Sequence, residues 1–186
     1  QPEPKGQPKS LALTNVAVID CTGKEAQPDM TVLIAGDRIT AVGRAKDVAV
    51  PKDARTIDGT RKFLIPGLWD MHAHTPAPQI SLPLFVANGV TGIREMYSAL
   101  PVAVFHQRAT LVESPHIFAG GFIDGPLMPS GANRLDATAV TTPDEARTAV
   151  VNFASRGADF LKIYNSVPRD AFFALSKPLI RYRALT

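Results

Sequence analysis

Cysteine is almost absent: Cys21 is the only one in 186 residues. An intrachain disulfide is therefore excluded, and so is a zinc site built from thiolates. Excess charge of one sign is also lacking, because 20 Lys and Arg against 17 Asp and Glu leave a net charge of +3. The nearest approach to a basic cluster is Lys177, Arg181 and Arg183 at the C-terminal end, which is no footprint for nucleic acid. No apolar run approaches the ~20 residues that a membrane-spanning helix requires, so no membrane partner is expected. A G-x-S-x-G elbow is missing and Cys21 falls in a turn, which leaves serine or cysteine nucleophilic catalysis without support. No G-x-G-x-x-G follows a strand, so a dinucleotide fold has no phosphate-binding loop. The first residue is Gln rather than Met, and residues 1–10 carry three prolines without apolar periodicity. They read as a flexible tail that would suit an exported protein after removal of a signal peptide.

What is present has the composition of a folded globular chain, with 45% apolar and 20% charged residues. Residues 11–65 show no useful helical period and frequent turns. Strands are predicted over Leu11–Asp20, Thr31–Ala35 and Arg38–Gly43, the last two joined by Gly36-Asp37 as a hairpin. Arg55–Asp58 and Lys62–Ile65 flank a further turn at Asp58-Gly59. This reads as part of a small β-sandwich.

From Pro66 the rhythm changes to alternating strands and helices. Strands are expected over 66–74, Val90–Met96, His116–Ala119 and Asp159–Asn165, with helices at about 78–88, 99–113 and from Thr142 to Gly157. Thr142-Pro143-Asp144-Glu145 has the form of a capping box with Pro at the first helical position. A polar, Gly- and Pro-rich loop is expected from Gly120 to about Val140, long enough to be functional. Pro178 should break the helix that starts near Pro168. Repeated βα units of this kind make a parallel sheet.

Two stretches carry chemistry. In Pro66-Gly67-Leu68-Trp69-Asp70-Met71-His72-Ala73-His74 a turn feeds a strand that ends in two histidines. Strand alternation sets Asp70, His72 and His74 on one face and Trp69, Met71 and Ala73 on the other. Two same-face imidazoles can reach one divalent cation at roughly 2.0–2.1 Å each; without that context they are a pair of strand-end histidines. In Gly157-Ala158-Asp159-Phe160-Leu161-Lys162-Ile163-Tyr164, alternation groups Phe160, Lys162 and Tyr164. Leu161 and Ile163 would face covering helices, turning Lys162 inward, where burial depresses a lysine pKa; the plainer alternative is an edge-strand lysine that snorkels. Arg94 in GVTGIRE suits an ion pair, and His106 and His116 suit structural roles.

PGLWDMHAHT resembles the first barrel strand of the metal-dependent amidohydrolase superfamily, in particular its prolidase and imidazolonepropionase-like branch, and GADFLKIY resembles the fourth. The resemblance covers roughly residues 11–175. It implies an α/β fold: the first half of a (β/α)8 TIM-type barrel over 66–186, preceded by part of a β-sandwich over 11–65. It implies that His72 and His74 bind one or two divalent metal ions, zinc by preference, and that Lys162 carries a CO2-derived carbamate which bridges them. Asp70 and Arg94 take supporting roles, and Tyr164 a contact to substrate. The activity implied is hydrolysis of C–N bonds in a small-molecule amide, cyclic amide or dipeptide by a metal-activated water, by a chain free to form a homo-oligomer.

The fifth and sixth strands of such barrels each bring a further histidine, and the eighth the aspartate that acts as general base. A (β/α)8 barrel takes about 250 residues, so this chain reads as an N-terminal, truncated portion without those groups. The competing expectation is therefore a non-catalytic half-barrel, at most a weak metal-binding or interaction module.

Overall fold

The computed structural model describes residues 10–97, 100–110, 112–126 and 137–182. The chain divides into two compact units at Pro66/Gly67.

In the first unit one sheet layer is built around β1 (Ser10–Val18). It pairs antiparallel with β2 (Gln27–Ala35), which pairs antiparallel with β3 (Arg38–Arg44). On its other edge β1 runs parallel to β4 (Arg55–Asp58) and then to β5 (Phe63–Leu64). The two-residue turn between β2 and β3 has Gly36 at φ +59, a value that glycine adopts without a Cβ penalty. β2 begins four residues before the expected Thr31, because Pro28 and Asp29 (φ +55) are taken up at a register irregularity opposite Val16–Val18. Val16, Val18, Met30 and Val32 form the buried cluster. Between β4 and β5 the Asp58 carboxylate accepts bonds from the Thr60 N–H and hydroxyl and from Asn15 Nδ2. The Gly59 N–H donates to the Thr14 carbonyl at 2.7 Å, and a Cβ there would lie 2.8 Å from Val16 Cβ.

The second unit holds a parallel sheet in the order β10-β8-β7-β6, with the short β9 (Ala137–Ala139) against β8. Its strands are β6 (Leu68–Ala73), β7 (Val90–Glu95), β8 (His116–Asp124) and β10 (Phe160–Ile163). Among the described residues β6 pairs only with β7 and β10 only with β8. The helices are α1 (Pro78–Ala87), α2 (Val102–Ala109), α3 (Pro143–Ser155) and α4 (Arg169–Tyr182).

α3 starts where the sequence says it should. Thr142 accepts from the Glu145 N–H, the Glu145 carboxylate accepts from the Thr142 N–H, and Gly157 at φ +82 follows the helix end. α2 is shorter at both ends than the predicted 99–113. α4 continues through Pro178, so the expected break does not occur; the helix forgoes one hydrogen bond to the Ala174 carbonyl there. No helix among the described residues is long and apolar enough to cross a membrane.

The helices cover one face of this sheet. Ala73, Ile93, Ile117 and Ala119 pack with Leu82 of α1 and Val102 and Phe105 of α2. Ile123 packs with Ala146, Ala149, Val150 and Phe153 of α3 and with Ala171, Ala174 and Leu175 of α4. Each large side chain so buried contributes about 1.5–3 kcal/mol. The other face carries Trp69, Arg94, Phe118, Phe122, Phe160 and Lys162, which touch one another across it.

β8 departs most from expectation, since Gly120-Gly121 continues the strand instead of opening a loop. A Cβ on Gly120 would lie 2.5 Å from the Phe160 ring, and one on Gly121 would lie 2.3 Å from the Phe153 ring. Both glycines are there because an aromatic ring occupies the space over each face. Of the stretch expected to be a loop, 120–124 belong to β8 and 137–139 to β9, and 127–136 lie outside the described residues.

Candidate active site

Parallel strands bring their C-terminal ends to one edge, and the two histidines lie at that edge. The His72 and His74 rings are 5.2 Å apart. The strand reaches this arrangement through an irregularity: Trp69 pairs with Gly92 and Asp70 with Ile93, but Ala73 pairs with Glu95, so three residues of β6 advance against two of β7. This corrects the expected alternation. Trp69 lies on the aromatic face, 5.7 Å from the Phe118 ring and over Gly92. Asp70 shares a face with Ile93, whose side chain is in the helix-covered core. Its Oδ1 accepts the His72 N–H at 2.9 Å, so Asp70 acts on the backbone of the bulge instead of standing in line with the histidines.

His74 is held from β7. Its Nδ1 lies 3.2 Å from the Tyr97 carbonyl oxygen and 3.9 Å from Glu95 Oε1. Glu95 is fully buried; Oε2 accepts the Thr75 hydroxyl and Oε1 accepts the Tyr97 N–H at 3.3 Å. Burial pushes the Glu95 carboxyl pKa up, against the opposing pull of these bonds.

Lys162 is on the aromatic face, with its Nζ 5.7 Å from the Phe122 and Tyr164 ring centroids. Its neighbours Leu161 and Ile163 pack against the α3–α4 core. Tyr164 lies at 5.3 Å from the Phe122 ring, and Phe122 at 5.4 Å from the Tyr97 ring. A row of rings therefore runs along the C-terminal edge from the residues that hold His74 to Lys162. Arg94 is stacked on the Phe160 ring at 4.6 Å, lower on the same face. His106 bonds Asp159 Oδ2 at 3.1 Å, and that oxygen also accepts the Ala119 N–H at 2.7 Å. His116 packs edge-on to Trp69 and Phe118. An open groove of about 420 Å³ is lined by His106, Thr110, Ser114, His116 and Asp159. It lies at the N-terminal end of β8, away from the histidine pair.

Three polar residues of this edge were missed by sequence reasoning: Glu95, Thr75 and Asp124. Asp124 is buried, and its Oδ1 accepts from the Gly125 N–H, the Ser166 N–H and the Ser166 hydroxyl at 2.8, 3.1 and 2.6 Å. It ties the end of β8 to the segment that follows β10. The available signal was an acid at the last position of an apolar strand, present in both GIRE and GFID.

Among the described residues no group of three or more His, Cys, Asp or Glu converges to hold a metal ion. The pair of imidazoles fits a divalent cation in kind, being borderline nitrogen donors, one of them oriented by a carbonyl.

No family model matches the chain. An adenine deaminase of Rubrobacter xylanophilus is 30% identical over 78 residues, covering 42% of this chain and 13% of the relative. A candidate prolidase of Bifidobacterium longum superposes with a TM-score of 0.77 at 24% identity, over 94% of this chain and 48% of that one. Molinate hydrolase gives a TM-score of 0.77 at 22% identity, over 94% and 52%. The chain thus spans about half the length of these solved structures and a smaller share of the deaminase. In sequence and in fold the chain resembles the amidohydrolase superfamily, prolidase-type members among them.

Proposed function

We propose that the chain supplies the first metal-binding strands of a hydrolase that cleaves C–N bonds in a small amide or dipeptide. The observation that carries this reading is the placement of His72 and His74, 5.2 Å apart at the C-terminal edge of a parallel sheet. In β/α barrels that edge is where active sites are built. His72 and His74 would hold a divalent cation, zinc by the nature of their donors. When bound, such an ion polarises a carbonyl and lowers the pKa of a coordinated water toward ~7. Lys162, on the aromatic face near the same edge, would join the ligand set as its carbamate. Tyr164, 49% exposed, would contact the substrate. Asp70 fixes the bulge that presents the histidines, and Arg94 braces the sheet through Phe160.

A second reading is favoured by one observation: the described residues provide two imidazoles and no third clustered His, Asp, Glu or Cys ligand. On that reading the 186-residue chain binds metal weakly and does not turn over substrate. Zinc titration of the metal-free chain, with His72→Ala, His74→Ala and Lys162→Ala alongside, tests the first reading; turnover of N-acyl amino acids and Xaa-Pro dipeptides separates the two. Stoichiometric zinc lost in both histidine variants supports the metal centre. Zinc uptake unchanged in both would refute it.

A further inference from the structure

The buried carboxylate at the end of β7 touches both the residue whose carbonyl faces His74 and the residue that follows it. Its Oε1 accepts the N–H of Tyr97, and the carbonyl of that same residue is the acceptor facing His74 Nδ1. Its Oε2 accepts the hydroxyl of Thr75, the next residue after His74. Glu95 and Thr75 are both at most 1% exposed, whereas the His74 side chain is 48% exposed. The imidazole is thus an open group mounted on a closed frame. A carbonyl oxygen only accepts, so the contact at 3.2 Å requires a proton on Nδ1. The neutral ring then keeps its lone pair on Nε2.

We propose that Glu95 is the positioning residue of this edge: it holds the Tyr97 carbonyl and Thr75 so that His74 is locked in the Nδ1–H tautomer and presents Nε2 outward as a ligand. This rests on the reading of His74 as a metal ligand, and it adds a residue that acts through Tyr97 and Thr75 and through its own Oε1, 3.9 Å from Nδ1. A glutamine at 95 keeps the shape but has one acceptor oxygen, so either the Thr75 hydroxyl turns to accept from the amide NH2 or the Tyr97 N–H loses its acceptor. In both cases the charge that strengthens these bonds and stands 3.9 Å from Nδ1 is gone, and the carbonyl facing Nδ1 is held less firmly.

The test uses the metal-free full chain. Long-range ¹⁵N–¹H NMR of the imidazoles, assigned with His72→Ala and His74→Ala, reads the tautomer of His74 directly. The wild type is expected to show Nδ1–H, and Glu95→Gln a mixture of tautomers with the fold retained by Trp69 fluorescence. Thr75→Val, which removes one of the two anchors, is expected to move the ring in the same direction and serves if Glu95→Gln fails to fold. Competition for zinc ion should then show a 10–100-fold weaker affinity in Glu95→Gln, the size of effect typical of groups that orient a metal-binding histidine. A His74 ring with an unchanged tautomer in both folded variants overturns the proposal, as does Nε2–H in the wild type. A wild type that takes up no zinc, but whose His74 tautomer responds to Glu95→Gln, leaves the positioning role standing and sinks the metal-centre reading instead.

Discussion

Gly121 and Phe153 should behave as one unit in a double-mutant cycle. Phe153 is fully buried under β8, and its ring occupies the place where a Cβ on Gly121 would be. Removing the ring in Phe153→Ala opens a cavity at an expected cost of about 3–5 kcal/mol. Adding a methyl in Gly121→Ala puts a carbon 2.3 Å from Cδ1 of the ring, far inside the ~3.5–4.0 Å optimum for carbon pairs. The ring or strand must move, at about 1–3 kcal/mol. The singles therefore sum to about 4–8 kcal/mol. In the double variant the clash is gone and the new methyl fills part of the void, so its cost should fall about 1–3 kcal/mol below that sum. Trp69, the only tryptophan, is in the same unit, so urea unfolding followed by its emission reads this unit alone. Phe153→Leu replaces Phe153→Ala if the latter leaves too little native state to measure. Additivity within about 0.5 kcal/mol would refute the packing argument.

Asp124→Ala should cost about 1–3 kcal/mol, because it removes the acceptor of the partly buried Ser166 N–H and hydroxyl and one of the two acceptors of the buried Gly125 N–H; the same urea assay checks it. Thr142→Ala should cost about 1 kcal/mol by removing the α3 cap. Glu145 is held below the ordinary glutamate pKa by the Thr141 N–H, the Thr141 hydroxyl and the Thr142 N–H. Its contribution is therefore complete above the unfolded glutamate value and is lost as pH falls through the depressed one. Glu145→Gln should flatten the acid limb of the stability curve, and a variant limb as steep as the wild type would contradict this. Gly92→Ala puts a Cβ 2.3 Å from the Trp69 indole and should displace it, seen as a shift in its emission.

Local rules were enough for much of this architecture. The capping box of α3, the Gly36-Asp37 turn and the alternation that turns Lys162 away from the helices all depend on residues within a few positions of one another. Features that depend on distant partners were hidden. Gly120-Gly121 looks like a loop until Phe160 and Phe153 stand over its two faces. The face of Asp70 could not be read because the bulge of β6 shows itself only in the pairing with β7. Glu95 and Asp124 are ordinary acids in the text; parallel pairing is what sets them beside Thr75 and Ser166. Pro178 is disfavoured inside a helix locally, and α4 tolerates it while packing against α3. The histidine pair was legible for a different reason, since its two donors are neighbours in the chain itself.

β8 has a consequence for cooperativity. Its first half, through Ile117 and Ala119, belongs to the core under α1 and α2; its second half, through Ile123, belongs to the core under α3 and α4. It pairs with β7 along one stretch and with β10 along the next. Among the described residues the two hydrophobic clusters share only the partly buried Ala158 as a side-chain neighbour. This one strand therefore serves as the mechanical axle between two subassemblies. Its central amides, between Ala119 and Gly121, should be the last in the unit to exchange with solvent. A weakened β8 would let the histidine-bearing half and the lysine-bearing half open as separate foldons, each at its own denaturant concentration, with the edge they share pulled apart before either core has melted.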